Sequence, residues 1–302
     1  MSADIKHHNL LVVVGATASG KTRLAVELAR HYGGEVISAD SRQVYRGLDI
    51  GSGKDLAEYG DIPYHLIDIV DPGYEFNIFE YQRRFVDCFE ALSRRNTLPI
   101  LAGGSALYVD AVLRGYRLIE VAENPVLRKK LEQKSHEELA EYLLRLKPRQ
   151  HNTTDLLDRN RLVRAIEIAE GESEKSAEAW PYPEIKPLIL GIHWERTELR
   201  ARITTRLRQR LGAGLIEEVQ QLHASGVSWS TLDFYGLEYR FVGQHLRGEL
   251  SENDLFQKLN SAIHKFAKKQ DTWLRRMQRN GFTVHWLDAR ENLYTQARKV
   301  LD

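Results

Sequence analysis

The run Leu10-Leu11-Val12-Val13-Val14 passes directly into Gly15-Ala16-Thr17-Ala18-Ser19-Gly20-Lys21-Thr22 and then into a helical pattern. No other stretch constrains the fold as tightly. A short apolar, β-branched run predicts a buried strand, and Gly-x-x-x-x-Gly-Lys-Thr between strand and helix is a phosphate-binding loop in its required context. Glycine at each end lets the backbone fold back so that its N–H groups converge on an anion, and the following helix presents its positive N-terminus to the same place. Lys21 adds a point charge and Thr22 a hydroxyl for Mg²⁺. The loop leaves open which phosphate compound it holds.

Further strands are read at Glu35–Ser38, Leu98–Ala102, Pro187–Ile192 and Thr283–Leu287. They alternate with helical text, so the expected fold is α/β, a parallel sheet flanked by helices. Chemistry gathers at the carboxyl ends of such strands, which draws attention to Asp40-Ser41 after the second and Gly103-Gly104-Ser105 after the third. Between Arg117 and Leu157 the strand signal disappears. Asn124-Pro125 starts one helix there, and Ser135-x-x-Glu138 is a capping box for another, predicting a small helical insertion domain over 118–157 within a core of 1–117 and 158–302. Long helices are predicted over Leu199–Ala224 and about Ser251–Asn280, and Gly171–Pro187, with its prolines, reads as a linker.

The 302 residues are 42% hydrophobic and 28% charged with a single cysteine, Cys88, which excludes an internal disulfide or a Cys-based zinc finger. No apolar run reaches membrane-spanning length, and MSADIKHHNL lacks the layout of a secretory signal, so a cytoplasmic protein with no membrane partner is expected. A formal net charge of +1 neither predicts nor excludes a nucleic-acid partner, so local clusters must decide. Arg128, Lys129, Lys130, Arg145, Lys147 and Arg149 in the insert form such clusters, as do Arg161 and Arg164, although taken singly each reads first as a solvated helix face.

Asp40 ends the strand expected to lie beside the loop, where a carboxylate could ligate Mg²⁺, take a proton from a nucleophile, or merely cap a turn. Arg202 and Arg206, at i and i+4, share one side of a helix and could clamp a diphosphate with their forked donors or simply be solvated. The histidines show no metal-ligand spacing.

Three segments, GATASGKT, Ser38-Ala39-Asp40-Ser41-Arg42-Gln43-Val44-Tyr45-Arg46-Gly47-Leu48-Asp49-Ile50-Gly51 and LPILAGGSALYVDAVLRG, together resemble the tRNA dimethylallyltransferases, or isopentenyl-tRNA transferases, in order and spacing. Arg161-Leu162-Val163-Arg164-Ala165-Ile166-Glu167, the Arg202–Arg206 helix and Lys268-Lys269-Gln270-Asp271-Thr272-Trp273 extend the resemblance over nearly the whole chain. It implies a P-loop NTPase-like sheet and transfer of a dimethylallyl group from dimethylallyl diphosphate to N6 of the adenosine 3′ of a tRNA anticodon, with Mg²⁺, by a monomer. The loop, Gly15 to Thr22, then binds the diphosphate with Arg206, and Thr22 is the metal-side residue. Asp40 becomes the general base, and Lys21, Ser105 and Arg206 complete the catalytic set. Asp40, Ser41, Arg42, Gln43 and Ser105, with Asn160, Arg161, Leu162, Val163 and Arg164, are implied to contact tRNA, and the insert to grip the anticodon stem. Ala16, Arg42 and Arg159 stand where the family usually has Pro, Met and Pro. Related readings are an enzyme prenylating free AMP or ADP, a small-molecule P-loop kinase, and a non-enzymatic RNA-binding protein.

Overall fold

A computed structural model describes residues 7–116, 121, 123–148, 159–174 and 182–302. Six strands, β1 (Leu10–Gly15), β2 (Gly34–Ala39), β3 (Tyr64–His65), β4 (Leu98–Gly103), β5 (Pro187–His193) and β6 (Val284–Asp288), form one sheet in the order β3-β2-β4-β1-β5-β6. Every pairing is parallel, so all the strands end along one edge. β1 is buried along its whole length, as a central strand covered on both faces must be. Its Leu11 and Val13 pack with Leu24 and Leu28 of α1 (Lys21–Tyr32) and with Leu188 and Leu190 of β5. Leu10, Val12 and Val14, one residue out of step, serve the opposite face.

The strands predicted from sequence lie where expected to within a residue, but their order does not. β4 stands between β1 and β2, so the strand ending at Asp40 is not the P-loop strand's neighbour. β3 is only two residues long and was not predicted; its neighbourhood, His65 to Asp71, is apolar without strand periodicity. The helix expected over Leu199–Ala224 is two: α7 (Arg196–Gly212) and α8 (Leu215–Ala224). They are broken at Gly214, whose φ of 104° is incompatible with a continuing helix and easy for glycine. The later helix, α11 (Glu252–Arg279), is continuous, and its N-cap Ser251 accepts the Asp254 N–H. Between α8 and α11 lie α9 (Trp229–Phe234) and α10 (Leu237–Leu246). The remaining core helices are α2 (Ile78–Arg94), α3 (Ala106–Arg114) and α12 (Leu293–Leu301).

The chain divides into two compact units, Met1–Gly115 with Pro183–Asp302, and Tyr116–Tyr182. Within the second, α4 (Pro125–Glu132) is capped by Asn124, and α5 (His136–Leu146) carries the expected Ser135–Glu138 capping box. The unit also takes in α6 (Arg159–Glu174), which sequence reasoning had given to the core. The reason is burial: Leu162, Ile166 and Ala169 close a cluster with Leu127, Leu131, Leu139 and Leu143. Of the stretch read as a linker, Gly171 to Glu174 complete α6 and residues 175–181 lie outside the described residues, as do Arg117 and 149–157 of the insert.

Candidate active site

The ends of β1, β2 and β4 and the Ala201–Arg210 stretch of α7 converge on one cleft of about 1160 Å³ in the first unit. The P-loop forms its base. Gly20 has φ 91° and Ala18 φ 60°, left-handed values that turn the chain back on itself before α1 begins at Lys21. The loop's carbonyls are tied down by its own lysine and by two side chains from elsewhere in the unit. Lys21 Nζ donates to Ala16 O at 2.8 Å, Arg202 Nε to Ala18 O at 3.1 Å and Trp194 Nε1 to Ser19 O at 3.1 Å. Arg202 also lies over the Trp194 ring, 4.4 Å from its centroid. Holding the carbonyls this way leaves the N–H groups of the first turn of α1, which have no intrahelical acceptor, to face an anion. Earlier in the loop, before α1 begins, the Thr17 N–H is already bound to Gln270 Oε1 at 2.8 Å.

Enclosure in the cleft and then the neighbouring Arg206 guanidinium push the Lys21 ammonium down to about 8, with Asp40 pulling the other way. Lys21, Arg206 and Asp40 therefore act on one another across the same space. Arg206 also pairs with Asp55, in the loop that carries Gly53. Next to it Arg210 and Glu238 stand 3.5 Å apart, and burial pushes the Glu238 carboxyl up against the pull of Arg210. The 49–52 segment of that wall is anchored by the Glu218 carboxylate, which accepts the N–H groups of Asp49, Ile50 and Gly51, and by Tyr239 Oη, which accepts that of Ser52.

Asp40 and Ser105 line the same cleft. Ser105 Oγ accepts the Ser41 N–H at 2.9 Å, and Asp40 Oδ1 accepts the Arg42 N–H at 2.8 Å. The turn-forming alternative for Asp40 is thus realised by one oxygen, Oδ1. Gly103 makes the junction possible: a Cβ there would sit 2.2 Å from Ala39 O. Gln43 is buried, its amide accepting from Ser38 Oγ and donating to Gly53 O, and the Arg42 guanidinium lies 5.1 Å from the centroid of the exposed Phe234 ring.

The residues expected on α6 separate. Asn160 and Arg161 are exposed, but Leu162 is fully buried in the leucine cluster and Val163 packs against it, so the Leu162 side chain is a core group. Arg164 donates to Glu167 Oε2 at 3.1 Å and to Val121 O at 2.7 Å. Sequence reasoning missed Gln270, Trp194, Glu218 and the Arg210–Glu238 pair. Gln270 and Glu238 lay in segments that carry or depart from the family resemblance; Trp194 and Glu218 act on backbone more than 150 residues away and leave no local signal.

Among the described residues no group of three or more His, Cys, Asp or Glu could hold a metal. The site nevertheless fits Mg²⁺, which commonly takes one or two protein oxygens and completes its shell with phosphate oxygens and water. Thr22, at the start of α1, would be the protein donor, and the Ser19 Oγ three residues earlier is buried without a partner.

A phosphate-binding loop at the carboxyl edge of a parallel sheet, faced by a cationic wall and by a carboxylate–hydroxyl pair, defines an α/β enzyme of the P-loop class. The family model "IPP transferase" matches residues 43–277 and the model "Isopentenyl transferase" residues 8–60. The "tRNA dimethylallyltransferase 2" of Trichlorobacter lovleyi is 62% identical, covering 97% of this chain and 96% of its own, and that of Shewanella sediminis is 52% identical over 98% and 99%. The solved full-length tRNA isopentenylpyrophosphate transferase of Bacillus halodurans is 30% identical with a TM-score of 0.71, covering 97% and 94%. A eukaryotic dimethylallyltransferase solved acting on tRNA shares the fold, with a TM-score of 0.77 at 23% identity over 93% of this chain and 73% of its own. The chain belongs to the IPP transferase family.

Proposed function

We propose that the chain transfers the dimethylallyl group of dimethylallyl diphosphate to N6 of the adenosine 3′-adjacent to the anticodon in tRNA. The observation that carries this is one cleft lined both by Lys21 and Arg206, which would hold the diphosphate, and by Asp40 and Ser105, which would meet the acceptor. The relatives' names support the transferred group and the tRNA acceptor; the cleft supports a mechanism.

The P-loop amides and Lys21 hold the diphosphate, and Arg206 exchanges its Asp55 contact for the phosphate oxygens. The allylic C1–O bond breaks with its electron pair leaving on the diphosphate, whose growing charge these donors stabilise. Bound Mg²⁺, held by Thr22 and the diphosphate oxygens, would neutralise part of the same charge. The adenine N6 lone pair forms the new bond to C1, and Asp40 Oδ2 takes the N6 proton. The exocyclic amine is a poor nucleophile, so hydrogen bonding to a carboxylate as the bond forms raises its reactivity. Ser105, fixed by the Ser41 N–H, orients that edge of the site.

The target adenosine must leave its stack to reach a buried centre. Asn160, Arg161 and the exposed Lys129, Lys130 and Arg145 are our candidates for holding the RNA, with Arg42 near the base. Among the described residues no helix is long and apolar enough to cross a membrane, and a tRNA acceptor supports a cytoplasmic location.

Labelled dimethylallyl diphosphate with Mg²⁺ and either tRNA or AMP tests the reading. Labelled N6-(dimethylallyl)adenosine in tRNA alone is expected. Labelled AMP alone would make the chain a free-nucleotide prenyltransferase, and ATP turnover without prenyl donor would make it a kinase.

A further inference from the structure

Gln270 lies on α11 with its amide engaged at both ends. Oε1 accepts the Thr17 N–H at 2.8 Å and Nε2 donates to Gly104 O at 2.9 Å, and the side chain is only 7% exposed. The two partners belong to different turns, one after β1 and one after β4. The approach is close enough that a Cβ on Gly104 would stand 2.6 Å from Nε2. From Gly104 the connection runs on: Ser105 N–H donates to Ala39 O at 3.1 Å, and Ser105 Oγ accepts the Ser41 N–H beside Asp40. One amide therefore joins the diphosphate half of the cleft to the acceptor half.

We propose that Gln270 is a positioning residue for the group transfer, setting the separation between the diphosphate loop and the Ser105–Asp40 pair, and acting through Ser105 without touching either substrate. This rests on the prenyl-transfer reading above. Only a side chain with both an acceptor and a donor at this length satisfies the two backbone groups: a carboxylate cannot donate to Gly104 O, and an ammonium cannot accept from Thr17 N–H. With an apolar side chain the Thr17 donor is left unpaired and the two turns are free to separate. A misplacement on the order of 1 Å between reacting groups costs on the order of 10²-fold in rate.

The test is a kinetic cycle on the full chain with tRNA and dimethylallyl diphosphate, comparing wild type, Gln270→Met, Ser105→Ala and the double variant. Gln270→Met should lower kcat by about 10²-fold while the donor KM moves much less. The double variant should be about as slow as the slower single one, because both changes break one chain of contacts. Multiplicative losses would make Gln270 a tie of general stability, and a raised donor KM with unchanged kcat would confine it to the loop; either result overturns the proposal. If Gln270→Met does not fold, Gln270→Glu, equal in length but unable when ionised to donate to Gly104 O, takes its place in the cycle. A wild-type chain that prenylates nothing would instead overturn the reading beneath it, so the two failures are distinguishable.

Discussion

The two units of this chain use arginine and lysine in opposite ways. In the α/β core the cations of the cleft hold backbone carbonyls or one another's neighbours: Lys21 is on Ala16 O, Arg202 on Ala18 O and Trp194, and Arg206 on Asp55. These contacts aim positive charge into a common space. In the helical unit the most conspicuous arginines are turned inward to one buried carboxylate. Glu167 accepts from Arg128, from Arg164 and from the Asn124 N–H, while Arg159 donates to the carbonyls of Leu131, Glu132 and Lys134 at the end of α4. A basic cluster in a sequence is therefore not yet a binding surface. Part of it can be the internal framework of a small unit that has few residues with which to build a core.

Lys21→Ala gives the largest effect expected of this contrast. Deleting the cation that faces the leaving group should cut turnover by roughly 10²- to 10³-fold and weaken donor binding. Full activity in the folded variant would break the core half of the comparison. The same lysine predicts a pH limb in the wild type. With its ammonium at about 8 in the donor-free protein, a bound diphosphate raises that value, so donor affinity is steady below about pH 8 and falls above it. Asp40→Asn comes next. It keeps the shape and removes the proton acceptor, so tRNA and donor should still bind while the rate falls by about 10²-fold. Recovery at high Mg²⁺ would make Asp40 a metal-side residue instead.

Glu167→Ala tests the helical half. It strands two arginines and a backbone N–H and should destabilise the unit by roughly 2–3 kcal/mol, read as faster amide exchange in α4 and α6 with exchange in β1 unchanged. Burial alone would raise the Glu167 carboxyl, but the bonds from Arg128, Asn124 and Arg164 outweigh it and hold it below its usual 4.5. A depressed carboxyl stabilises fully above its unfolded value and loses that contribution as pH falls through the folded one, so the unit should loosen only in acid below about pH 4.5.

How far the sequence revealed these roles depended on distance along the chain. The P-loop, the strand ends at Asp40 and Ser105 and both N-caps of the insert are local signals, each spanning a few residues, and they stand where sequence reasoning put them. The β2-β4-β1 order is not local, because alternating strands and helices do not say which strands pair. The inward turn of Arg128 depends on Glu167 from another helix, α6, where Arg164 meets the same carboxylate from three residues away, and Leu162 looked like an RNA contact until the helical cluster showed which face of α6 is buried. Gly214 was legible in principle, since an isolated glycine late in a helical pattern can break it.

The smallest expected effect separates framework arginines from exposed lysines. Lys129 and Lys130 are exposed at the end of α4, and replacing both with Ala should flatten the slope of log tRNA affinity against log salt by about two units, if both lie on the RNA backbone. An unchanged slope would leave the helical unit without a phosphate contact at α4.

The division of labour itself is tested most directly by replacing the Tyr116–Tyr182 unit with a short Gly-Ser link and measuring, on the same preparation, donor binding and tRNA prenylation. The account predicts a donor affinity close to that of the full chain and loss of tRNA modification. Undiminished tRNA modification by the shortened chain would contradict it, because the core alone would then hold both substrates.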